Sequence, residues 1–266
     1  MSQELIESIE GGIATLTMNR PEARNALTRE MMDGLSKALP RLAVTPDVRL
    51  VVLTGAGNAF CAGGDVKGFA KNAAGAPAVM SFDTKVADLR ARMEVARWLH
   101  ECPKPTLAVI PGAAAGAGLS LALACDLRIA ADDAKLTTAF SKIGLSGDFG
   151  GSYFLNHLVG AARARRMYFT AEVVSGAEGL RIGLVDRAVP AAQLAAAATA
   201  WAAELAALPT VALGYMKRNL NLGMRGSLAD VLDSEAVHMI RTFETEDHKA
   251  AAVAFVEKRP PSFKGR

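Results

Sequence analysis

Two loops built from small residues constrain the fold most, because each follows an apolar run typical of a buried strand. The first extends from Phe60 to Val66 (Phe-Cys-Ala-Gly-Gly-Asp-Val) and comes after the apolar residues 50–53. The second, 111–118, contains only Pro, Gly and Ala and follows the apolar run 106–110. Loops with so few side chains expose backbone N–H groups, which can bind an anion or a developing oxyanion. We therefore predict that backbone donors do the chemical work here.

Size and composition indicate a globular chain with a sizeable core. Of the 266 residues, 51% are hydrophobic and 21% are charged, which favours one large domain or one domain with a helical appendage. The net charge of +3 is too small to argue for nucleic acid, and no apolar run approaches the roughly 20 residues of a membrane span. The first residues lack the profile of a signal peptide, and the three scattered cysteines fit a reducing compartment. We expect a cytoplasmic protein without a nucleic-acid or membrane partner.

Predicted strands alternate with predicted helices, which favours an α/β core with parallel pairing over residues 1–204. The remaining residues, 205–266, have the pattern of a helical C-terminal region. The predicted strands are 5–9, 13–18, 48–54, 106–110, 127–130, 136–138 and 185–189. The predicted helices are 29–41, 83–100, 117–124, 191–207, 210–221, 228–242 and 246–257, and residues 68–82 are expected to form a flexible connection.

Several common chemistries are excluded by absent motifs. No phosphate-binding loop and no Gly-x-Ser-x-Gly elbow is present, and the third glycine of a dinucleotide fingerprint is replaced by Leu121. The four histidines are far apart in sequence, so we predict no metal site. Cys61 lies inside the first loop but has no histidine nearby in sequence, which favours a packing role over that of a nucleophile.

Taken in order, these segments resemble the crotonase superfamily, the enoyl-CoA hydratase/isomerase family, over nearly the whole chain. The resemblance implies a spiral of β-β-α turns with a C-terminal helical trimerisation region, assembled as a homotrimer or a dimer of trimers. It also implies an acyl-CoA thioester as substrate, with coenzyme A as part of that substrate and no separate cofactor. The segments that carry it are Asn19-Arg20-Pro21, Asn25-Ala26-Leu27, Phe60 to Asp65, Gly112 to Gly118, Ala124-Cys125-Asp126, Ile143-Gly144-Leu145, Gly150-Gly151, Gly183 to Val185 and Phe255 to Pro260.

The same resemblance assigns an oxyanion hole to the two small-residue loops. The backbone N–H groups of Gly64 and Ala117 are expected to polarise the thioester carbonyl and to stabilise the enolate that forms from it. Ala117 stands where glycine is more usual in the family, but it still donates its N–H. Residues expected to contact the substrate are Arg24, Ala26, Ala62, Asp65, Val66, Ala113 and Phe140, with Phe255 and Lys258 reaching the coenzyme A of a neighbouring subunit.

The reaction depends on which carboxylates are present. Standard hydratases of the family use two glutamates, and this chain has Ser120 and Phe140 at the matching positions. Asp148 falls where some family isomerases, including the phenylacetate-pathway ring isomerase type, carry a catalytic aspartate. Dehalogenases place a nucleophilic aspartate there too, but Met93 and Phe140 replace the His and Trp that those enzymes also need.

We therefore expect an enoyl-CoA isomerase in which Asp148 transfers the proton. A turn residue or helix cap is the structural alternative for Asp148, since aspartate is common before a pair of glycines. An atypical hydratase, with water activated by Asp148 or Ser120, and a non-catalytic acyl-CoA-binding protein remain the alternative functions. The sequence does not specify the acyl group.

Overall fold

The computed structural model describes residues 4–64 and 80–266, which form two β-sheets and the helices that cover them. The strands in these residues are β1 (Leu5–Glu10), β2 (Ile13–Met18), β3 (Leu50–Gly55), β4 (Ala59–Cys61), β5 (Thr106–Ile110), β6 (Ala113–Ala115), β7 (Leu127–Ala131), β8 (Lys135–Thr137), β9 (Val174–Ser175) and β10 (Arg187–Val189). The larger sheet has the order β1-β2-β3-β5-β7-β10, and the smaller has the order β4-β6-β8-β9.

The helices surround these sheets, and after β10 the described chain forms helices only. They are α1 (Arg29–Val44), α2 (Phe82–Arg92), α3 (Glu94–Glu101), α4 (Ala117–Ala124), α5 (Gly151–Val159), α6 (Ala161–Thr170), α7 (Gly176–Arg181), α8 (Leu194–Ala206), α9 (Thr210–Gly223), α10 (Leu228–Phe243) and α11 (Glu246–Val256). Three short 3-10 helices lie at Pro21–Ala23, Phe140–Ile143 and Ala191–Gln193.

From β3 to β8, successive strands alternate between the two sheets, and this alternation makes the fold a spiral. The pairs β3–β4, β5–β6 and β7–β8 each contribute one strand to the larger sheet and one to the smaller. Within each sheet the strands of these pairs run parallel, so a helical crossover follows each pair. Helix α4 is the crossover between the second pair and the third. The predicted α/β fold with repeated β-β-α turns is confirmed.

The core lies between the sheets and the helices, and it explains which segments form strands. The segment Leu50 to Leu53 is fully buried, as is typical of a parallel strand that is covered on both faces. Helix α1 buries one stripe that includes Met31, Leu35 and Leu39, and the Thr28 side chain caps its N-terminus by accepting a bond from Met31 N.

Some boundaries differ from those predicted. The single helix expected over 83–100 is two helices that meet at Met93, because the exposed helix α2 and the half-buried α3 pack differently. Two three-residue strands were not predicted: β4 overlaps the start of the first small-residue loop, and β6 lies within the second. The flexible connection expected at 68–82 lies largely outside the described residues.

Within the described residues, no single helix is both long and apolar enough to cross a membrane. The helical segments Ala191–Ala206 and Thr210–Gly223 reach the length and composition of a membrane span only when they are counted together, and a bend of 96° separates them.

Candidate active site

The first small-residue loop is fixed by pairing with an earlier segment of the chain. Ala62 N donates to Arg24 O (2.9 Å), and Leu27 N donates to Gly63 O (2.8 Å). Gly64 and Leu27 form an isolated parallel bridge. These bonds bring three predicted substrate-binding residues, Arg24, Ala26 and Ala62, next to the predicted oxyanion-hole residue Gly64.

A buried asparagine holds that earlier segment in place. Asn25 is fully buried, and its side-chain amide donates to Ala56 O (3.0 Å) and Ala59 O (2.8 Å). Its side-chain oxygen accepts from Arg20 N (2.9 Å). The side chain thus joins the 20–27 loop to the turn before β4 by three hydrogen bonds. Its left-handed backbone (φ 57°) is one that asparagine tolerates.

The second loop presents the N-terminus of α4 to the first loop. Gly116 precedes the helix without any side-chain cap, and Ala117 is its first residue. The Gly63 backbone has φ +87°, and a β-carbon built there would lie 3.4 Å from Ala117 N, so the two loops are in close contact. Among the residues the structure describes, neither Gly64 N nor Ala117 N has a hydrogen-bond acceptor.

Two unpaired N–H groups, of which the Ala117 N–H is at the start of a helix, are suited to a negative charge. The helix dipole adds a positive potential at the same place. Because the neighbouring side chains are small, an acyl thioester can approach the backbone closely enough to place its carbonyl oxygen between the two donors.

Asp148 lies on a turn that is forced into an unusual conformation. Gly147 and Gly150 have φ of 108° and 74°, and Phe149 between them has φ of 50°. A positive φ is strained for a phenylalanine, and such strain is typical of functional sites. The Asp148 carbonyl accepts a bond from Gly151 N (3.2 Å), which ties the turn to the start of α5.

The Asp148 carboxyl group is partly buried without a partner. Its Oδ1 atom is inaccessible to solvent and makes no hydrogen bond. Burial raises the pKa of this carboxyl to about 6, in the direction expected from the sequence.

Two aromatic rings form a wall beside this turn. The ring of Phe140 is buried and lies 6.0 Å from that of Tyr168, with the two planes nearly parallel. A β-carbon on Gly116 would be 3.5 Å from the Phe140 ring, and one on Gly147 would also be 3.5 Å from it. Phe140 therefore lies between the start of α4 and the Asp148 turn, which connects the proposed oxyanion hole to the carboxyl group.

The remaining predicted residues are placed as follows. Ala113 lies on β6, next to Ala59 in the smaller sheet, at the edge of the second loop. Asp65 and Val66 lie outside the described residues. Phe255 is 85% exposed and Lys258 is also exposed, so neither side chain packs against the loops of its own chain.

No group of three potential metal ligands occurs among the described residues. Cys61 is fully buried, and burial raises the pKa of its thiol to about 12, which keeps the thiol protonated and unreactive.

Sequence reasoning missed two residues of the site, Asn25 as a structural support and Tyr168 as part of the pocket wall. Asn25 lies between Arg24 and Ala26, and nothing in that local sequence shows that its side chain is buried. Nothing in the sequence around Tyr168, on α6, distinguishes it from an ordinary helix residue. Its position depends on how α6 packs against the 3-10 helix at Phe140–Ile143.

Comparison with protein families gives a match over almost the whole chain. The family model described as "Enoyl-CoA hydratase/isomerase" matches residues 8–266. A Rhodobacter capsulatus protein named "Probable enoyl-CoA hydratase" is 39% identical over 259 residues, which cover 97% of this chain and 96% of that protein. The Escherichia coli K12 protein named "1,2-epoxyphenylacetyl-CoA isomerase" is 35% identical over 266 residues, which cover 100% of both chains.

Solved structures agree with these matches. An enoyl-CoA hydratase from Polaromonas sp. JS666 superposes with a TM-score of 0.89 at 32% identity, covering 97% of this chain and 99% of that one. An enoyl-CoA hydratase from Bacillus anthracis gives a TM-score of 0.90 at 28% identity, covering 99% and 100%. The chain is thus a member of the enoyl-CoA hydratase/isomerase family, within the crotonase superfamily.

Proposed function

We propose that this enzyme is an enoyl-CoA isomerase that moves a double bond by proton transfer through Asp148. The observation that carries the proposal is the buried, unpartnered Oδ1 atom of Asp148 on a strained turn beside the oxyanion-hole loops. A carboxylate held without hydrogen bonds in an apolar setting is a stronger base than one in water. A structural cap or turn aspartate would instead have its oxygens bonded to nearby backbone N–H groups.

The proposed reaction starts from a 3-enoyl-CoA. Gly64 N and Ala117 N hold the thioester oxygen, and the Asp148 carboxylate removes a proton from the second carbon. The electrons move into a dienolate whose oxygen carries the negative charge. The protonated Asp148 then returns the proton to the fourth carbon, which leaves the double bond between the second and third carbons. One base performs both steps, and no net proton is consumed.

The residues near the pocket favour this reaction over the standard hydration. Ser120 and Phe140 stand where the resemblance places the two hydratase glutamates, and neither can act as a carboxylate base. The names of the relatives include both hydratases and an isomerase, so they do not decide between the two reactions.

An atypical hydratase is the second candidate, and a specific observation favours it. The hydroxyl groups of Ser120 and Tyr168 converge near the Asp148 turn, where they can hold a water molecule. Assaying 3-enoyl-CoA isomerisation and 2-enoyl-CoA hydration with the same enzyme preparation separates the two functions. Faster hydration would assign the site to a hydratase.

The substitution Asp148→Asn tests the proposal directly. It keeps the shape of the side chain but removes the base, so isomerisation should fall by about 100- to 10,000-fold. Binding of a saturated acyl-CoA should be retained. Unchanged turnover of a 3-enoyl-CoA in this variant would contradict the proposed role of Asp148.

We also propose that subunits assemble as a homotrimer or a dimer of trimers. Support comes from apolar side chains that are exposed on α10 and α11 in the single chain, among them Val237, Ile240 and Phe255. In such an assembly, Phe255 and Lys258 would reach the coenzyme A of a neighbour. Sedimentation of the wild type and of Ile240→Glu tests this, and a wild type that sediments as a monomer would exclude it.

A further inference from the structure

A separate cavity lies at the end of the larger sheet opposite to the candidate active site. The two small-residue loops come after the carboxyl ends of β3 and β5, whereas this cavity is lined by Arg49 and Lys104, which come just before the amino ends of these strands. Strands of six and five residues separate the two places by roughly 15 Å. The cavity has a volume of about 270 Å³, near the lower limit for small-molecule sites, and none of the described residues assigned to the substrate lines it.

Three basic side chains line this cavity, and none of them has an acidic partner in the described part of the chain. Arg49 precedes β3, Lys104 precedes β5 and Arg218 lies on α9. No ion pair within 4.0 Å joins any of them to a described carboxylate, and no described acidic residue lines the cavity. The exposed Asp47 acts on Lys104 through its charge, but from a longer distance. The cavity therefore has an excess of positive charge.

Lys104 is a buried cation that is compensated only by carbonyl groups. It is 8% exposed, and its ammonium group donates to Leu42 O (2.8 Å) and to Thr45 O at the end of α1. These carbonyls satisfy two of its three N–H groups, but they lack the full negative charge that best compensates a buried ammonium. Burial lowers the pKa of Lys104, and the charge of Asp47 opposes this shift only in part. One N–H group of Lys104 thus remains for an anion.

The two arginines also keep N–H groups that bind nothing in the described residues. Arg49 donates to three oxygen atoms of the C-terminal region, of which the closest is Leu208 O (2.7 Å), and this leaves two of its five N–H groups. Arg218 lies 5.6 Å from the ring centroid of Tyr215, and its guanidinium makes no hydrogen bond to the described chain. Three segments that are distant in sequence therefore each bring a cationic donor to one cavity.

A phosphate group matches these donors better than a carboxylate does. A phosphate ester carries a charge of about −1.5 to −2 at pH 7 and three acceptor oxygens that point in different directions. A carboxylate carries a single charge, and its two oxygens lie in one plane. The side chains of Val44, Val48 and Val211 line the rest of the cavity and can contact the organic part of an ester. Helix α9 begins in the cavity at Thr210, so the positive end of its dipole adds to the attraction.

We propose that this cavity binds the phosphate group of a small phosphate ester, with Arg49, Lys104 and Arg218 as the side chains that hold it. The ligand would connect the core, through Arg49 and Lys104, to α9 and to the chain near Gly265, which also lines the cavity. The site is distinct from the loops that form the proposed oxyanion hole. The proposal therefore does not depend on the reaction assigned to Asp148.

Calorimetric titration with phenyl phosphate tests the site. Arg218→Gln is the informative variant, because this side chain is exposed and its loss should not disturb folding, which urea denaturation verifies. Loss of its charge-assisted hydrogen bonds should weaken binding about tenfold or more. Arg225→Gln is the matched control, since it removes an exposed arginine just after α9 that does not line the cavity. Equal binding by Arg218→Gln and the wild type, or no binding by the wild type at millimolar phenyl phosphate, would overturn the proposal.

Three further titrations test the chemistry and the location of the site. Benzoate has the same ring but a single charge and should bind the wild type about tenfold more weakly, whereas equal binding would overturn the preference for phosphate. Inorganic phosphate that binds as tightly as phenyl phosphate would support the phosphate site and overturn the ester as its ligand. Arg24→Gln, in the candidate active site, should bind phenyl phosphate as the wild type does. A loss of binding in Arg24→Gln with normal binding in Arg218→Gln would place the ligand in the active site and overturn the proposal.

Discussion

A β-carbon on Gly63 would lie 3.4 Å from the backbone nitrogen of Ala117 and 2.7 Å from the carbonyl oxygen of Ala115. The glycine thus permits the two small-residue loops to meet, and the close approach brings the first loop at Gly63 against the start of α4 at Ala117. The proposed oxyanion hole would consequently be a product of backbone packing between two strand ends, with no side-chain donor involved.

Gly63→Ala is expected to separate the loops and disable the hole. The added methyl group collides with backbone, and φ +87° is strained for alanine, so the variant should lose about 1–2 kcal/mol of stability. Displacement of one oxyanion donor should lower kcat by about 100- to 1,000-fold. Turnover of a 3-enoyl-CoA and urea denaturation measure the two effects.

Gly160→Ala is the matched control for this variant. Gly160 has a similar φ of +76°, but a β-carbon there would meet nothing within 4 Å. The control should show a comparable loss of stability with unchanged kcat. If both variants lose activity equally, backbone strain alone explains the effect and the contact between the loops does not.

The pH dependence of the reaction should report the Asp148 carboxyl. Its pKa is raised to about 6 by burial, and only the ionised form can remove a proton. We expect kcat/KM for a 3-enoyl-CoA to increase about tenfold per pH unit below pH 6 and to level off above it. The phosphate of coenzyme A titrates near pH 6 as well. The affinity of the enzyme for coenzyme A alone, measured over the same pH range, corrects for the ionisation of this phosphate. A corrected kcat/KM profile that is flat from pH 5 to 8 would exclude Asp148 as the base.

The same carboxyl should destabilise the fold at neutral pH. Because its pKa is raised from 3.8 to about 6, the folded state binds the proton more tightly than the unfolded state does. Stability therefore decreases as the pH rises from about 4 to 6, by at most about 3 kcal/mol and by less after solvent screening of the exposed part of the group.

Asp148→Asn removes this penalty and should be more stable than the wild type at pH 8 by about 1–2 kcal/mol. At pH 4 the wild type is protonated, so the gain should largely disappear. The free energy of unfolding of both proteins at the two pH values tests this, and an equal difference at pH 4 and pH 8 would show that ionisation of Asp148 is not the cause.

Much of the fold could be predicted because strong local signals bound its elements. The strand Thr106 to Ile110 was predicted with its observed limits, since proline on each side and an unbroken β-type sequence fix it. The three-residue strands β4 and β6 were missed because pairing between the two loops, rather than local propensity, makes them strands. The break at Met93 has no proline or glycine signal, and it reflects the different burial of α2 and α3.

The candidate site likewise contains residues that the local sequence identifies and residues that only tertiary packing brings in. The two loops and Asp148 could be identified from motifs and from their order along the chain. Tyr168 could not, because it approaches Gly147 and Gly151 only after α6 has packed against the 3-10 helix that contains Phe140. Residues brought together from distant segments leave no spacing pattern in a single sequence.

The C-terminal helical region is tied to the core by a partly buried ion pair, which should contribute strongly to stability. Lys217 on α9 is buried, and its Nζ donates to Asp126 Oδ2 (2.8 Å) and to Leu99 O (3.0 Å). The same Asp126 oxygen accepts from Thr106 N (2.8 Å). Asp126→Ala would leave the Lys217 charge buried without its partner, and we expect it to cost about 3 kcal/mol of stability in urea denaturation.

The exposed pair Arg187–Glu204 provides the control, because both side chains are about half exposed and the atoms are 3.4 Å apart. Glu204→Ala should cost less than about 1 kcal/mol. Adding Lys217→Met to Asp126→Ala removes the unpaired charge, so the double variant should recover part of the lost stability. A double variant no more stable than Asp126→Ala alone would show that the loss comes from the bond between Asp126 and Thr106, and that the ion pair contributes little to holding α9 on the core.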